Sequence, residues 1–339
     1  MNSNILKGKK IAITAYDLQQ KEHRGIAQYT KNLIEVLHDN GAEIFLITNI
    51  GSQRIKRDRN KALFEEVCIA DICYKFQKGS LTQGDSYRTA RIKFLQKTLI
   101  DLIKFLFSKF ELSYKFVKFS DLQKKTHIND FKFEFLNYIS GFIVVKGIFN
   151  LSFLRSIRFL QRIPELNLKR KDIDLIISSS PLCIKNKNSK YAPIIQIIYD
   201  AIPIQDPNHL RPKAFFNILN DAHQNKCLYI SNAARSIVRN ILQISKVSNE
   251  LDILRPLPSI SIEIMNDSLN IKSILGINKP FVLINSSIVS WKKIEKGIHF
   301  FNQSNLINRG FILCIADQIH NTKYSKYIQE LSDKNKNIL

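Results

Sequence analysis

The sequence lacks the residue patterns that hold metal ions or disulfide frameworks. Its 339 residues include five cysteines and seven histidines, which form no Cys-x-x-Cys pair, no His-Glu-x-x-His and no Cys/His cluster. Dedicated zinc sites bring such residues together at short, fixed spacings. Because the cysteines are odd in number and lie mostly in apolar surroundings, we expect buried thiols in a reducing compartment, with no bound metal and no cofactor.

The sequence also lacks clear signals for crossing a membrane. Its polar N-terminus has no apolar core of a signal peptide, which predicts a cytoplasmic protein. The longest apolar stretch, residues 135–154, contains Lys146 and several small polar residues. Because a bilayer crossing takes about 20 predominantly apolar residues, we interpret this stretch as a buried helix or a segment lying in the membrane plane.

What the sequence has in excess is positive charge, with 51 Lys and Arg against 29 Asp and Glu and a formal net charge of +22. A nucleic-acid binder would concentrate its basic residues around a recognisable reading module. The sequence has neither, so we do not expect a nucleic-acid partner. Two explanations stay open: attraction to an anionic membrane surface, and the lysine-rich composition that an AT-rich genome produces.

A basic amphipathic helix is predicted within residues 91–110, as part of a basic helical insertion at about 75–170. Apolar residues recur there at helical spacing and basic residues surround them. Such a helix either lies in a membrane interface or packs on its own domain with its lysines in solvent. The apolar positions are Ile92, Leu95, Leu99, Leu102, Leu106 and Phe110, and the basic ones are Arg91, Lys93, Lys97, Lys104 and Lys109.

A strand, a loop and an amphipathic helix open the chain. Residues 10–15 are apolar, and Gly25 begins a helical pattern that runs to residue 37 and is followed by a second strand at 42–48. A helix that follows a strand presents free N–H groups and a positive dipole end, which suit a phosphate. Gly25 would let the backbone approach that phosphate closely, and the neighbouring Arg24 would contact an acceptor or its phosphate.

Four later segments continue an α/β pattern. An apolar strand at 174–178 runs into the small-residue loop that contains Ser180, and a second ends in Tyr199 and Asp200. A short strand breaks at Ser231 into a helix, and a further strand–helix unit begins at residue 280. Ligands of such folds bind beyond the carboxyl ends of the strands, so these loop residues are candidate site residues.

In that order the segments resemble the family 4 glycosyltransferases. The resemblance rests on Gly25-Ile-Ala-Gln-Tyr29, on the strand ending in Tyr199-Asp200, on the Ser231 turn and on Trp291-Lys292-Lys293. It implies an α/β, GT-B-like fold of two Rossmann-like domains, the second incomplete. Residues 1–252 would form the acceptor domain and 253–339 the donor domain.

The resemblance also implies roles for single residues. Lys292 matches the donor-phosphate lysine of the family, whereas Ser286 stands where a second basic residue is usual. Together with Gly25 these residues form the predicted donor phosphate site. Tyr199 and Asp200 replace a His-Asp pair and, with Arg24 and Ser180, form the predicted acceptor or sugar site. The sequence contains no Ser-His-Asp or Cys-His arrangement that could be argued, so no catalytic residue is assigned.

The expected function is transfer of a hexose from a nucleotide sugar to a glycan or lipid-linked acceptor, as in polysaccharide biosynthesis at the inner face of the cytoplasmic membrane. The paired glutamates of the family, E-x7-E, fall beyond Leu339, so we expect a truncated transferase of doubtful activity. Two alternatives stay open. One is a non-catalytic remnant or partner subunit that a second chain completes, and the other is a basic α/β protein that binds polyanions.

Overall fold

The structure is a computed structural model that describes residues 5–20, 25–51, 69–75, 96, 98–103, 106, 111–119, 131–169, 171–205, 211–244, 277–316 and 323–339. Its described residues divide into two compact units, the first formed by residues 5–205 and 211–244 and the second by residues 277–339. The predicted domain boundary at 252–253 lies outside the described residues.

The first unit is built on a seven-stranded sheet in the order β10-β9-β7-β1-β2-β5-β4. All neighbouring strands pair in parallel except β4, which runs antiparallel to β5 at one edge. A second, small parallel sheet has the order β3-β6-β8. The strands are β1 (Lys10–Thr14), β2 (Glu43–Thr48), β3 (Glu111–Leu112), β4 (Tyr114–Lys118), β5 (Gly141–Val145), β6 (Glu165–Leu166), β7 (Leu175–Ser178), β8 (Lys185–Asn186), β9 (Ile194–Ile198) and β10 (Lys226–Tyr229).

Helices cover both faces of the seven-stranded sheet, which is why its strands are apolar at nearly every position. Ile11 and Ile13 pack in one core cluster with residues of α1, while Ala12 packs in a second cluster with residues of α2. The helices are α1 (Gly25–Asp39), α2 (Ile148–Ser156), α3 (Ile202–Gln205), α4 (Pro212–Ala222) and α5 (Asn232–Leu242), with 3-10 turns at Asp17–Gln19 and Phe131–Tyr138 and further helical residues at 69–75 and 98–103. The predicted α/β class is confirmed.

Residues 135–154 do not form the single buried helix or in-plane segment predicted for them. They form the end of a 3-10 turn, strand β5 and most of helix α2, all largely buried. Gly141 and Gly147 interrupt the stretch with positive φ angles of 156° and 77°, and a Cβ atom at Gly141 would lie 2.3 Å from the carbonyl oxygen of Val117. Among the described residues, no helix is long and apolar enough to span a membrane.

Residues 75–170, predicted as a basic helical insertion, also supply strands to the main sheet. Strand β5 extends the parallel order next to β2, and β4 closes that edge. Only part of this region is described: of the predicted helix at 91–110, the described residues are 96, 98–103 and 106, and all are helical.

The second unit contains a parallel strand pair with a helix after each strand. Its elements are β11 (Phe281–Asn285), a 3-10 turn at Ser290–Lys292, α6 (Ile294–Gln303), β12 (Ile312–Ala316) and α7 (Lys323–Asp333). Ile298, Phe301, Leu313 and Ile328 belong to its core. After α7, Ile338 forms a parallel bridge with Leu313 of β12.

Candidate functional site

The carboxyl ends of β1, β7 and β9 meet at one edge of the main sheet, because these strands are neighbours and parallel. Ser180 follows β7, and Tyr199 and Asp200 follow β9. Asp17 follows β1 in the 3-10 turn that precedes α1. We name the polar and aromatic side chains gathered here the strand-end site. They belong to Thr14, Asp17, Tyr29, Ser178, Ser179, Ser180 and Tyr199.

Asp17 is the centre of the hydrogen bonding in the strand-end site. Its Oδ2 accepts a hydrogen bond from Ser180 Oγ at 2.5 Å and lies 3.4 Å from Ser179 Oγ. Ser179 Oγ donates to the carbonyl oxygen of Thr14 at 3.0 Å, and its N–H donates to Thr14 Oγ1 at 3.0 Å. Ser178 Oγ donates to the carbonyl oxygen of Ser180 at 2.6 Å. Hydrogen bonds from Ser179 and Ser180 therefore connect the loop after β7 with the end of β1 and the loop that follows β1.

Burial raises the pKa of the Asp17 carboxyl above its ordinary value, and the hydrogen bonds from Ser180 and Ser179 oppose that shift. The effect of burial on the pKa is the larger one, because the carboxylate loses more stabilisation from water than the two hydrogen bonds restore. Such a carboxyl accepts a hydrogen bond from a ligand when ionised and donates one when protonated. A raised carboxyl pKa at a strand-end edge is also typical of functional sites.

Two tyrosine hydroxyls of the strand-end site are buried without a hydrogen-bond partner among the described residues. The rings of Tyr29 and Tyr199 meet edge to face, with centroids 5.7 Å apart and an interplanar angle of 85°. Burial raises the pKa of Tyr29 to about 12 and raises that of Tyr199 further, with added repulsion from Tyr29 and Asp17. Both hydroxyls are therefore neutral. An unsatisfied buried hydroxyl costs about 1–3 kcal/mol, and a ligand that bonds to it would remove that cost.

Asp200 and Gly25, the other described residues of the first unit that were predicted as site residues, are exposed. Asp200 is exposed, and its Oδ1 accepts a hydrogen bond from the N–H of Ile202 at 3.1 Å, which caps the short helix α3. Gly25 is the exposed first residue of α1, and a Cβ atom there would have no described atom within 4 Å. Neither a positive φ nor a close neighbour therefore requires glycine at this position. Arg24 lies outside the described residues.

The predicted phosphate residues of the second unit lie on the loop between β11 and α6. Ser286 follows β11 directly, and Lys292 is exposed one residue before the cap of α6. The first N–H of α6, from Ile294, donates to the hydroxyl of Tyr324 at 2.8 Å, and that hydroxyl donates to the carboxylate of Glu295. The first N–H of α6 therefore has a partner and lies next to a negative charge, and the exposed cations on this loop are Lys292 and Lys293.

Sequence reasoning missed Asp17. Asp17 lies within a run of polar loop residues after β1, and its main partner Ser180 is 163 positions away. The available signal for Asp17 was its place three residues beyond the end of an apolar strand. Among the described residues, no three His, Cys, Asp or Glu side chains gather as a metal site requires.

The sequence matches no protein-family model and no curated protein. Among solved structures, the chain is similar to a crystal structure of TarM at 13% identity, and to a S. aureus TarM mutant in complex with Fondaparinux, alpha-GlcNAc-glycerol and UDP at 14% identity. Each match covers 98% of this chain and 76% of the other, with a TM-score of 0.43. At this TM-score the likeness assigns the chain neither a family nor a function.

Proposed function

We propose that the chain is a glycosyltransferase that transfers a hexose from a nucleotide sugar to a glycan or lipid-linked acceptor, with a sugar held at the strand-end site. The observation that carries the proposal is the buried carboxyl of Asp17 at the same sheet edge as Tyr29 and Tyr199, whose buried hydroxyls have no hydrogen-bond partner among the described residues. The order of sequence motifs that resembles the family 4 glycosyltransferases supports it independently.

The chemistry of the strand-end site favours an uncharged sugar over a phosphate. Asp17 and the serines offer oxygen acceptors, and the two tyrosines offer hydroxyl donors and ring edges. A sugar ring carries both donors and acceptors around an apolar face, so it matches this set. A phosphate would instead meet the carboxylate of Asp17, and like charges in a partly buried site repel strongly. The phosphate contact at Gly25 stays a separate prediction.

The second unit supplies the proposed contact to the leaving diphosphate. Lys292 is an exposed cation on the β11–α6 loop, next to Lys293, and Ser286 adds a hydroxyl on the same loop. Neutralising the charge that develops on a leaving group is a large part of catalysis, and one such contact is typically responsible for about 10²–10³ in rate. Because the start of α6 already bonds to Tyr324, the lysine side chain carries this role.

A second candidate function is a non-catalytic sugar-binding protein that works with another chain. The arrangement that favours it is the carboxylate of Glu295 at the start of α6, which weakens that helix end as an anion site. This candidate keeps the strand-end site and predicts saccharide binding without turnover.

Nucleotide release distinguishes the two functions. The full chain is incubated with a panel of UDP- and GDP-hexoses and with oligosaccharide acceptors, and free UDP or GDP is measured. We expect release that falls about 10²–10³-fold in Lys292→Ala and stays unchanged in Lys296→Ala, a matched exposed lysine on α6. Saccharide binding without release from any donor would support the non-catalytic function instead. Equal release by wild type and Lys292→Ala would contradict the phosphate contact.

A further inference from the structure

A helical segment of the first unit buries two polar side chains and exposes four aliphatic ones, while its Leu102 packs against the core. We name residues 98–103 with Leu106 the outer segment, of which every member is helical. Thr98 and Asp101 are buried, whereas Leu99, Ile100, Ile103 and Leu106 are each 45–56% exposed. Surface helices ordinarily show the reverse arrangement, with the apolar stripe facing the core. An outward apolar face marks an interaction surface.

Asp101 fixes this orientation by packing against the start of α2. Its Oδ2 accepts a hydrogen bond from Asn150 Nδ2 at 3.0 Å. A Cβ atom at Gly147, the residue that precedes α2, would lie 2.9 Å from Asp101 Cβ and Cγ, so the two segments are in close contact. A carboxylate is also favoured beside a helix N-terminus. Because Asp101 is held inward, Leu99 and Ile103 must face away from the unit.

We infer that the outer segment docks onto the surface of an anionic lipid bilayer. Five basic residues and one acidic residue occur within residues 91–110, and the acidic one is the buried Asp101. The sequence around the apolar face is therefore positive, in a chain whose net charge is +22. An exposed aliphatic face within a lysine-rich stretch of the sequence suits the boundary between acyl chains and anionic headgroups. Surfaces that bind another protein are more typically enriched in aromatic and arginine side chains.

The outer segment lies at the same edge of the sheet as the strand-end site. It contacts the start of α2, which follows β5, and β5 runs parallel to β2 and in the same direction as β1. Phe149 of α2 in turn contacts Tyr16, the neighbour of Asp17, with ring centroids 5.2 Å apart. This docking, which rests on the proposed function, would bring a lipid-linked acceptor from the bilayer to the strand-end site.

Vesicle flotation tests the inference with the full chain. Wild type, Leu99→Ser, Ile103→Ser and the double variant are mixed with phosphatidylcholine vesicles, with and without phosphatidylglycerol, at low and high salt. We expect binding that needs the anionic lipid and weakens as salt rises. Each substitution should weaken the partition about tenfold. Phe300→Ser, which removes a 67% exposed apolar side chain from the second unit, is the matched control and should bind as wild type does.

Each other outcome overturns the inference. Equal binding to neutral and anionic vesicles, or unchanged binding by the folded double variant, would exclude docking through the outer segment. Absence of vesicle binding together with a dimer that the double variant dissociates, measured by sedimentation, would assign the face to a second copy. Far-UV circular dichroism verifies that each variant is folded. Asp17→Asn separates this inference from the proposed function, since it should bind vesicles as wild type does even where it no longer binds saccharide.

Discussion

Replacing Asp17 by asparagine should weaken saccharide binding at pH 7 by about 10–100-fold. Asparagine keeps the shape of the side chain, and its Oδ1 can still accept the hydrogen bond from Ser180. What it loses is the negative charge. A hydrogen bond to a charged group contributes about 1.5–3 kcal/mol, and about 1.4 kcal/mol corresponds to a tenfold change in affinity.

The same substitution should raise the free energy of unfolding at pH 7. Burial raises the pKa of Asp17 above the ordinary 3.8, so ionisation is disfavoured in the folded state. A group with a raised folded pKa contributes stability that is fully present below the unfolded pKa and is lost as pH rises through the folded pKa. Wild type loses this stability as pH rises through the folded pKa of Asp17, whereas asparagine does not ionise. The advantage of the variant should therefore disappear at roughly pH 3, where both side chains are neutral.

Urea unfolding across the pH range and isothermal titration with a panel of mono- and oligosaccharides measure the two effects. Asp39→Asn is the matched control, because Asp39 is exposed at the end of α1 and should change neither quantity by more than about 0.5 kcal/mol. A variant that binds saccharide as wild type does would refute the role of the carboxylate. A variant less stable than wild type at pH 7 would refute the argument from burial.

Three further substitutions test other parts of the first unit. Tyr199→Phe should raise the free energy of unfolding by about 1–2 kcal/mol, since it removes a buried hydroxyl that has no partner among the described residues, and should weaken saccharide binding in titration; equal affinity would contradict a ligand contact. Gly25→Ala should leave thermal stability unchanged or raise it by up to about 1 kcal/mol, because a Cβ atom has free space there, and reduced UDP binding by the variant would restore Gly25 as a phosphate contact. Asp221→Asn should lower stability by about 3 kcal/mol, because it removes the buried negative charge that now pairs with Arg155 and Arg158 at 2.7 and 3.1 Å. Calorimetry should then show a melting temperature about 6–12 °C lower, and no change would contradict a structural role for this ion pair.

The sequence predicts much of the first unit because its central strands are continuous apolar runs bounded by turns. Strands β1, β7 and β9 lie where the apolar pattern predicts them. The pattern also singles out Ser180 and Tyr199 as candidate site residues, because they follow two of those strands. The partnership of Asp17 with Ser180 is not predictable in this way, since it depends on which strands become neighbours.

The apolar pattern gave a wrong prediction where two glycines divide one apolar stretch into separate elements. Residues 135–154 were predicted as one segment, yet Gly141 and Gly147 separate a turn, a strand and a helix. The orientation of the outer segment was also not predictable, because its apolar spacing fits a helix facing either way. Asp101 decides it through a contact with α2 that is distant in sequence.

The antiparallel strand β4 forms one edge of the main sheet. Its lysines affect whether that edge can pair with a strand of another copy of the chain. Lys115 and Lys118 of β4 are exposed, and so is Lys226 of β10, the outermost described strand on the opposite side. A bare strand would offer its free N–H and C=O groups to another copy and so begin an aggregate, and lysines placed there make such pairing costly by repulsion. These three lysines of the excess are therefore placed where their charge opposes pairing of the sheet edges between copies of the chain.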